Sequence, residues 1–384
     1  MELYIAGGCS EHGRNSFLVE GEGITFLVDA GLMKEKKESP YPRLSREQIQ
    51  KVDYLFLTHS HADHSGAIPW LIENGFHGTI CASEATLKAL PDIPEDHICL
   101  DRLAGPLEEM TISSAGHPSL QVMWGRSGHC IGSIWMRFCT EGRTLLFTGD
   151  YTEHSRAYIC DRIRDMKADL AVIDCAYGLD TGDAALYRKQ LDETMDGDLE
   201  KKKKILFPVP RYGRGLDLIR LLSERDALCV IEDGVLSDSV HAASSNFWLQ
   251  DACKNALEKM NTIPLSAYLQ DPEAVCRENQ KLGILVCDSQ LADERNRRLA
   301  ETMLAENGSV ILTGKQDPSG YAKKLYLQGQ AAFCRIPVHQ NTVELEFLDA
   351  ENQFRTVVPY HCRQELSFDA DRIKVLHIGE CISI

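Results

Sequence analysis

Short apolar runs broken by glycine and polar turns set the pattern of the first 60 residues: MELYIAGG, NSFLVEGEG, ITFLVDAG and VDYLFLTHSH. Such runs between turn formers predict β-strands. A helical spacing follows in SGAIPWLIENGF, and strand-like runs return between about residues 110 and 150 as LQVMWG, IWMRFCT and TLLFTGD. The stretch DAALYRKQLDETMDGDLEKKKK is helical in character and leads into the strand-like ILFPV. From there to about residue 330 the two textures alternate. GRGLDLIRLLSERDA, DSVHAASSNFWLQDACKNALEKM and LADERNRRLAETMLAEN read as helices, and LCVIED, LGILVCDS and SVILTGK as strands. That alternation predicts a parallel α/β unit. After residue 332 a β texture returns in NTVELEFLDA, FRTVVPYH and RIKVLHIGE. The expected organisation is an α/β chain in which one domain, formed by residues 1–190 and 332–384, is interrupted by an inserted α/β domain over 191–331.

Composition narrows this picture. A chain of 384 residues exceeds the usual size of one core, and 43% hydrophobic content fits a packed globular protein. The longest apolar runs are too short to span a bilayer, and the N-terminus has neither the basic region nor the apolar core of a signal peptide. No membrane association and a cytoplasmic location are therefore expected. The fourteen cysteines are scattered singly without a C-x-x-C pair, which argues against a finger-type structural zinc. The net charge of −16 disfavours broad, sequence-independent adhesion to nucleic acid. It leaves room for a local basic groove or for metal ions that supply positive charge.

The densest chemistry lies in LTHSHADHSGA, where His59, His61, Asp63 and His64 fall within six consecutive positions at the end of an apolar strand. A loop held by a rigid strand end is well placed for metal ligation, and imidazole with carboxylate suits zinc, or manganese at a more oxygen-rich site. A polar turn rich in histidine is the bland alternative, and H-x-H-x-D-H is too dense for it. Two later segments repeat the layout: SGHCIGSIWM places His129 before a strand, and TLLFTGD ends a strand on Asp150. Gly8, Gly13 and Arg14 mimic a phosphate loop, but Arg14-Asn15 replaces its Lys-Ser/Thr pair, which excludes a nucleotide-binding P-loop.

H-x-H-x-D-H, GHCIGS and FTGD, in that order after GGCSEHGRNSFLVE and FLVDAG, resemble the successive motifs of the metallo-β-lactamase fold superfamily. AVIDCAYG, with Asp174, and LFPVPRYGRGLDLI, with Asp217 at an acidic position, resemble its β-CASP nuclease branch. That branch includes ribonuclease J and the endonuclease of messenger 3′-end processing. VCDSQ and VILTGKQ resemble two later strand ends of the branch's inserted domain. VVPYHCRQE offers His361 and IKVLHIGE offers His377 as the two C-terminal histidines, although the usual serine and Ala-Asp around the first are absent and the spacing is short.

The resemblance implies an αββα sandwich with an inserted domain that closes over the metal face and forms the substrate cleft. It implies two divalent metal ions, zinc before manganese. His59, His61 and His129 would hold one, Asp63, His64 and His377 the other, with Asp150 between them. Water shared by the two ions would attack phosphorus. His361 would protonate the leaving oxygen or hydrogen-bond the phosphate, and Asp174 would orient a ligand histidine. Asp63, Asp174 and His361 are thus the catalytic candidates. Arg214, Lys315 and Ser289, at predicted strand ends of the insertion, are the substrate-binding candidates, because a guanidinium there can grip phosphate.

Lys201–Lys204 read as the solvated end of a helix, and His154, His241 and His339 fall in no motif and are expected at surface or cap positions. The implied activity is cleavage of single-stranded nucleic acid, RNA before DNA, with a homodimer left open. Two rivals remain: a hydrolase of a small ester, thioester or phosphodiester on the same fold, and a non-catalytic nucleic-acid-binding subunit.

Overall fold

Five strands carry a chemically active side chain at or just past their carboxyl ends, and two stacked sheets bring those ends together. The computed structural model describes residues 1–33, 39–91, 93–114, 116–201, 203–232, 247–259, 262–265 and 280–384. These form two compact units. The first comprises Met1–Glu153, Cys160–Thr181 and His339–Ile384, and the second His154–Ile159 and Gly182–Val338. The boundaries therefore fall at Thr181 and His339 rather than at 190 and 332.

In the first unit, one seven-stranded sheet runs in the order Cys381–Ser383, Glu2–Gly7, Ser16–Glu20, Thr25–Val28, Tyr54–Phe56, Thr79–Ala82, His97–Cys99. Its first four strands are antiparallel, and from Thr25–Val28 onward the pairing is parallel. The second sheet has six strands: Val357–Tyr360, Leu170–Asp174, Arg143–Phe147, Ile134–Thr140, Leu120–Arg126, Glu109–Ile112. The sheets meet through an aromatic layer, with Phe26 and Phe56 against Phe138 at ring-centroid distances of 4.8 and 4.7 Å and Phe17 against Phe147 at 6.0 Å.

Helices cover the outer faces. Ile49, Ile68, Leu71 and Leu87, from the helices Arg46–Lys51, Ile68–Glu73 and Glu84–Ala89, bury against Leu18, Leu27, Leu55 and Ile80 of the first sheet. Leu345 and Leu348 of the helix Thr342–Ala350 bury against Leu146, Ala171 and Ile173 of the second, each contributing about 1.5–3 kcal/mol. This is the αββα arrangement.

The helix Thr342–Ala350 corrects the strand expected over NTVELEFLDA. Alternation in V-E-L-E-F suggests a strand, but Asn341 accepts from the backbone of Glu344, whose carboxylate returns to the backbone of Asn341. That reciprocal cap starts a helix. RIKVLHIGE is likewise not a strand: only Ile373 makes an isolated bridge, to Val357, and the final strand is Cys381–Ser383.

The second unit holds a six-stranded parallel sheet, ordered Thr262–Pro264, Leu228–Ile231, Leu282–Val286, Lys204–Pro208, Ser309–Leu312, Ala332–Phe333. The strands Leu228–Ile231, Leu282–Val286 and Lys204–Pro208 are buried along their whole length, as expected where helices cover both faces. Among the described residues of DSVHAASSNFWLQDACKNALEKM, Asp251–Lys259 form a helix, and Leu249 before it bridges to Tyr158. His241, Lys202 and the start of that stretch lie outside the described residues.

Candidate metal centre

The strand Tyr54–Phe56 continues through buried Leu57 and Thr58 and delivers His59 fully inside the protein. His61 precedes the four-residue helix Ala62–Ser65, which carries Asp63 and His64. Asp29, just past Thr25–Val28 with a φ of 62°, braces this loop. It accepts from the backbone N–H of Thr58 at 2.7 Å and from the Thr58 hydroxyl at 2.8 Å, and its Oδ2 lies 2.7 Å from His64 Nδ1. With its own proton given to Asp29, the Thr58 hydroxyl accepts from His59 Nδ1 at 3.0 Å. Both contacts place the ring proton of a neutral histidine on Nδ1 and leave Nε2 as a lone pair.

Two ligand sets share one carboxylate. In the first, His61 Nδ1 faces His59 Nε2 at 3.0 Å and His129 Nε2 at 3.2 Å. Asp150 Oδ2 lies 3.5 Å from His59 Nε2 and 3.4 Å from His129 Nε2. In the second, Asp63 Oδ2 lies 3.3 Å from His361 Nε2, and Asp150 Oδ1 lies 3.2 Å from both His64 Nε2 and His361 Nδ1. Asp150 thus turns one oxygen to each set. It follows Arg143–Phe147 through Gly149, whose φ is +54°; a Cβ there would sit 2.7 Å from Thr58 Cβ, so only glycine fits.

The donors suit divalent cations. A single proton bridges two nitrogens, whereas here three meet, His61 Nδ1 with His59 Nε2 and His129 Nε2, and one cation would accept a lone pair from each. Burial lowers the pKa values of His59 and His61, which keeps both rings in the neutral, ligating form. Imidazole and carboxylate together fit zinc, and manganese where oxygen dominates.

Electrostatics differ in the second set. Burial pulls His361 down, but Asp150 and the hydrogen bond to Asp63 overcome it and push its pKa up to about 10. His64 rises well above the usual histidine value in the same way, through Asp150 and Asp29 against burial. Without cations, protons on these rings offset the carboxylates.

A third group adjoins the centre. Asp174, fully buried at the end of Leu170–Asp174, accepts from Tyr151 N–H through Oδ2 at 3.1 Å and from Ala176 N–H through Oδ1 at 3.0 Å. Its Oδ2 also lies 3.0 Å from His339 Nδ1, and the His339 ring stands 4.9 Å from that of His129 and 5.3 Å from that of His361.

His59, His61, Asp63, His64, His129, Asp150, Asp174 and His361 therefore come together, and His377 does not. His377 is exposed, and its backbone N–H donates to Glu380. The physical reason is the ladder: Val357–Tyr360 pairs in parallel with Ala171–Asp174, which seats His361 beside Asp174 and Asp150, whereas residues 374–380 follow no strand into the site. His361, not His377, adjoins Asp63 and Asp150, and the side chain beside Asp174 is His339. His339 was expected at a surface or cap position. Its signal was the order of apolar PV, then His, then the helix-starting N-x-x-E, together with the short spacing of His361 and His377. Asp29 and Thr58 were also missed, since nothing local links FLVDAG to the loop it braces.

The other candidates lie in the second unit. Arg214, Ser289 and Lys315 sit on the loops after Lys204–Pro208, Leu282–Val286 and Ser309–Leu312, three neighbouring strands of the parallel sheet. The Arg214 guanidinium occupies the space a Cβ on Gly314 would need. Gln290 donates to the Lys315 carbonyl at 3.2 Å and so ties two of these loops together. Asp217 is structural: buried in the helix Gly215–Ser223, it accepts from the backbone N–H groups of Arg156 and Ala157 at 2.6 and 3.1 Å. Lys204 is buried with its ammonium on Gln280, which removes it from the expected solvated run.

The Metallo-beta-lactamase superfamily model matches residues 10–201, half of the chain. Endoribonuclease ysh1 of Aspergillus fumigatus is 25% identical over 249 residues, 58% of this chain and 29% of that protein. This chain therefore spans less than a third of that relative's length. The RNase J-like protein of Methanocaldococcus jannaschii is 22% identical over 388 residues, covering 93% of this chain and 88% of its own. A crystal structure of a protein of unknown function from Enterococcus faecalis V583 matches 99% of both chains with a TM-score of 0.64 at 13% identity, a likeness of fold. Among the described residues no helix is long and apolar enough to cross a membrane.

Proposed function

The chain belongs to the metallo-beta-lactamase superfamily, and from that premise we propose that it is a two-metal phosphodiesterase of the β-CASP kind that cuts single-stranded RNA. The observation that carries this reading is Asp150, with one oxygen toward His59 and His129 and the other toward His64 and His361. The names of the relatives, an endoribonuclease and an RNase J-like protein, support RNA as the substrate.

His59, His61, His129 and Asp150 would hold one cation, and Asp63, His64, His361 and Asp150 the other. Two bound zinc or manganese ions supply water activation and charge stabilisation at phosphorus. The protein's own groups do the rest. Asp29 and Thr58 fix the tautomers of His64 and His59, which leaves Nε2 of each neutral ring as the ligating atom. Asp174 holds His339 by Nδ1 and leaves Nε2 to give a proton to the departing oxygen, the division of labour of an oriented imidazole acid. The site's burial excludes bulk water and strengthens each of these interactions. A complete ligand set argues against a non-catalytic subunit.

The test is cleavage of end-labelled single-stranded RNA and its DNA counterpart by protein loaded with zinc or manganese, with His61→Ala alongside. Metal-dependent RNA cleavage absent from the variant is expected. Intact RNA with hydrolysis of a small ester would overturn the reading.

A further inference from the structure

The loop Gly8–Asn15 touches the candidate centre without supplying any of the ligands named above. It is built with unusual care. Gly8, Ser10, Gly13 and Arg14 have positive φ values of 89°, 58°, 97° and 43°, two of them at residues with side chains. Backbone conformations of this cost persist where surrounding contacts enforce them, and they cluster at functional sites. Here the enforcement is visible. Arg14 and Glu11, both nearly buried, pair through Nε–Oε1 at 2.8 Å and Nη2–Oε2 at 3.0 Å, and Glu11 Oε1 accepts from Gly8 N–H at 3.1 Å. The loop is then latched to the C-terminal segment: His361 N–H donates to the Gly8 carbonyl at 2.6 Å, and the Ser10 hydroxyl donates to the Leu376 carbonyl at 3.2 Å. Asn15 closes it, with its amide 2.8 Å from His64 Nε2.

Between these anchors stands His12. Its ring is half-buried and meets the His361 ring edge-on, with centroids 5.4 Å apart. It lies outside the groups of residues placed to share a cation. We propose that His12 is a substrate-contacting residue that donates a ring N–H to a phosphate oxygen of the RNA beside Asp63, His64 and His361; this rests on the phosphodiesterase reading above. An imidazole offers at least one N–H in either protonation state, and a hydrogen bond to a charged phosphate is among the stronger ones. A loop held by a buried ion pair and two latches presents that donor without further ordering.

The test uses the full-length, metal-loaded protein and two substitutions. His12→Phe keeps a ring against His361 and removes the donor, while His12→Gln restores a donor without the ring. Dissociation constants are measured for single-stranded RNA made hydrolysis-resistant with phosphorothioate links and for inorganic phosphate, with metal content recorded for each protein. His12→Phe is expected to weaken both ligands about tenfold with metal content unchanged, and His12→Gln to return to within about threefold of the parent. Parent-like binding by His12→Phe overturns the proposal, as does equal weakening in both variants with loss of metal, the mark of a packing role. If the parent binds phosphate but not RNA, and His12→Phe weakens phosphate, the RNA reading fails and His12 stands. If the parent binds neither, both fail.

Discussion

Between Thr58 and Ser65 the backbone alone decides where four ligand candidates go; between His339 and His361 it does not. His59 leaves a buried strand end, His61 precedes a one-turn helix, and Asp63 and His64 ride on that helix. Their positions follow from local geometry, so their spacing in the chain is their signature. His361 reaches the centre only because Val357–Tyr360 pairs in parallel with Ala171–Asp174, and His339 only because Asp174, 165 positions away, holds its ring. The difference teaches that a metal site assembled from two sheets has one half written as a motif and another half written as a ladder register.

The strongest way to break the comparison is at the residue common to both halves. Asp150→Asn is expected to empty both sites and to lower RNA cleavage by about 1000-fold or more, read by metal analysis and by rate. His339→Ala attacks the C-terminal half alone: kcat should fall by about 100-fold to 10,000-fold while both metals stay bound. Metal loss in that variant would mean that His339 is a ligand rather than an acid. Asp29→Ala attacks the support of the N-terminal half, and metal affinity should fall by about 10-fold to 100-fold in a chelator competition.

A subtler separation comes from pH. His361 has its pKa raised to about 10 in the absence of cations, chiefly by Asp150 and Asp63 working against burial. A raised histidine stabilises the fold below its unfolded value near 6.5 and loses that contribution as pH climbs through about 10. The metal-free protein should therefore lose melting temperature between pH 7 and 10, and the loaded protein should lose less, since the cation has already displaced that proton. An equal loss in both forms would count against His361 as a ligand.

Much of this was legible in the chain. The H-x-H-x-D-H loop, GHCIGS and FTGD marked His59, His61, Asp63, His64, His129 and Asp150, because strand ends and glycine turns are local features. The alternation of helix and strand after ILFPV marked a parallel inserted sheet. What stayed hidden depends on contacts distant in sequence. Asp29 looks like an ordinary strand-end acid until Thr58 and His64 meet it. NTVELEFLDA alternates like a strand, and its capping box prevailed because Leu345 and Leu348 find the second sheet only when helical. His377 had the better local motif, a strand-like run ending in histidine, but its segment pairs with the sheet through a single bridge at Ile373.

The claim that His361 completes the centre is tested most directly by metal stoichiometry in His361→Ala and His377→Ala, prepared side by side with the parent protein. Two divalent ions per chain in the parent and in His377→Ala, and one in His361→Ala, is the predicted result. Full occupancy in His361→Ala with loss in His377→Ala would contradict the account.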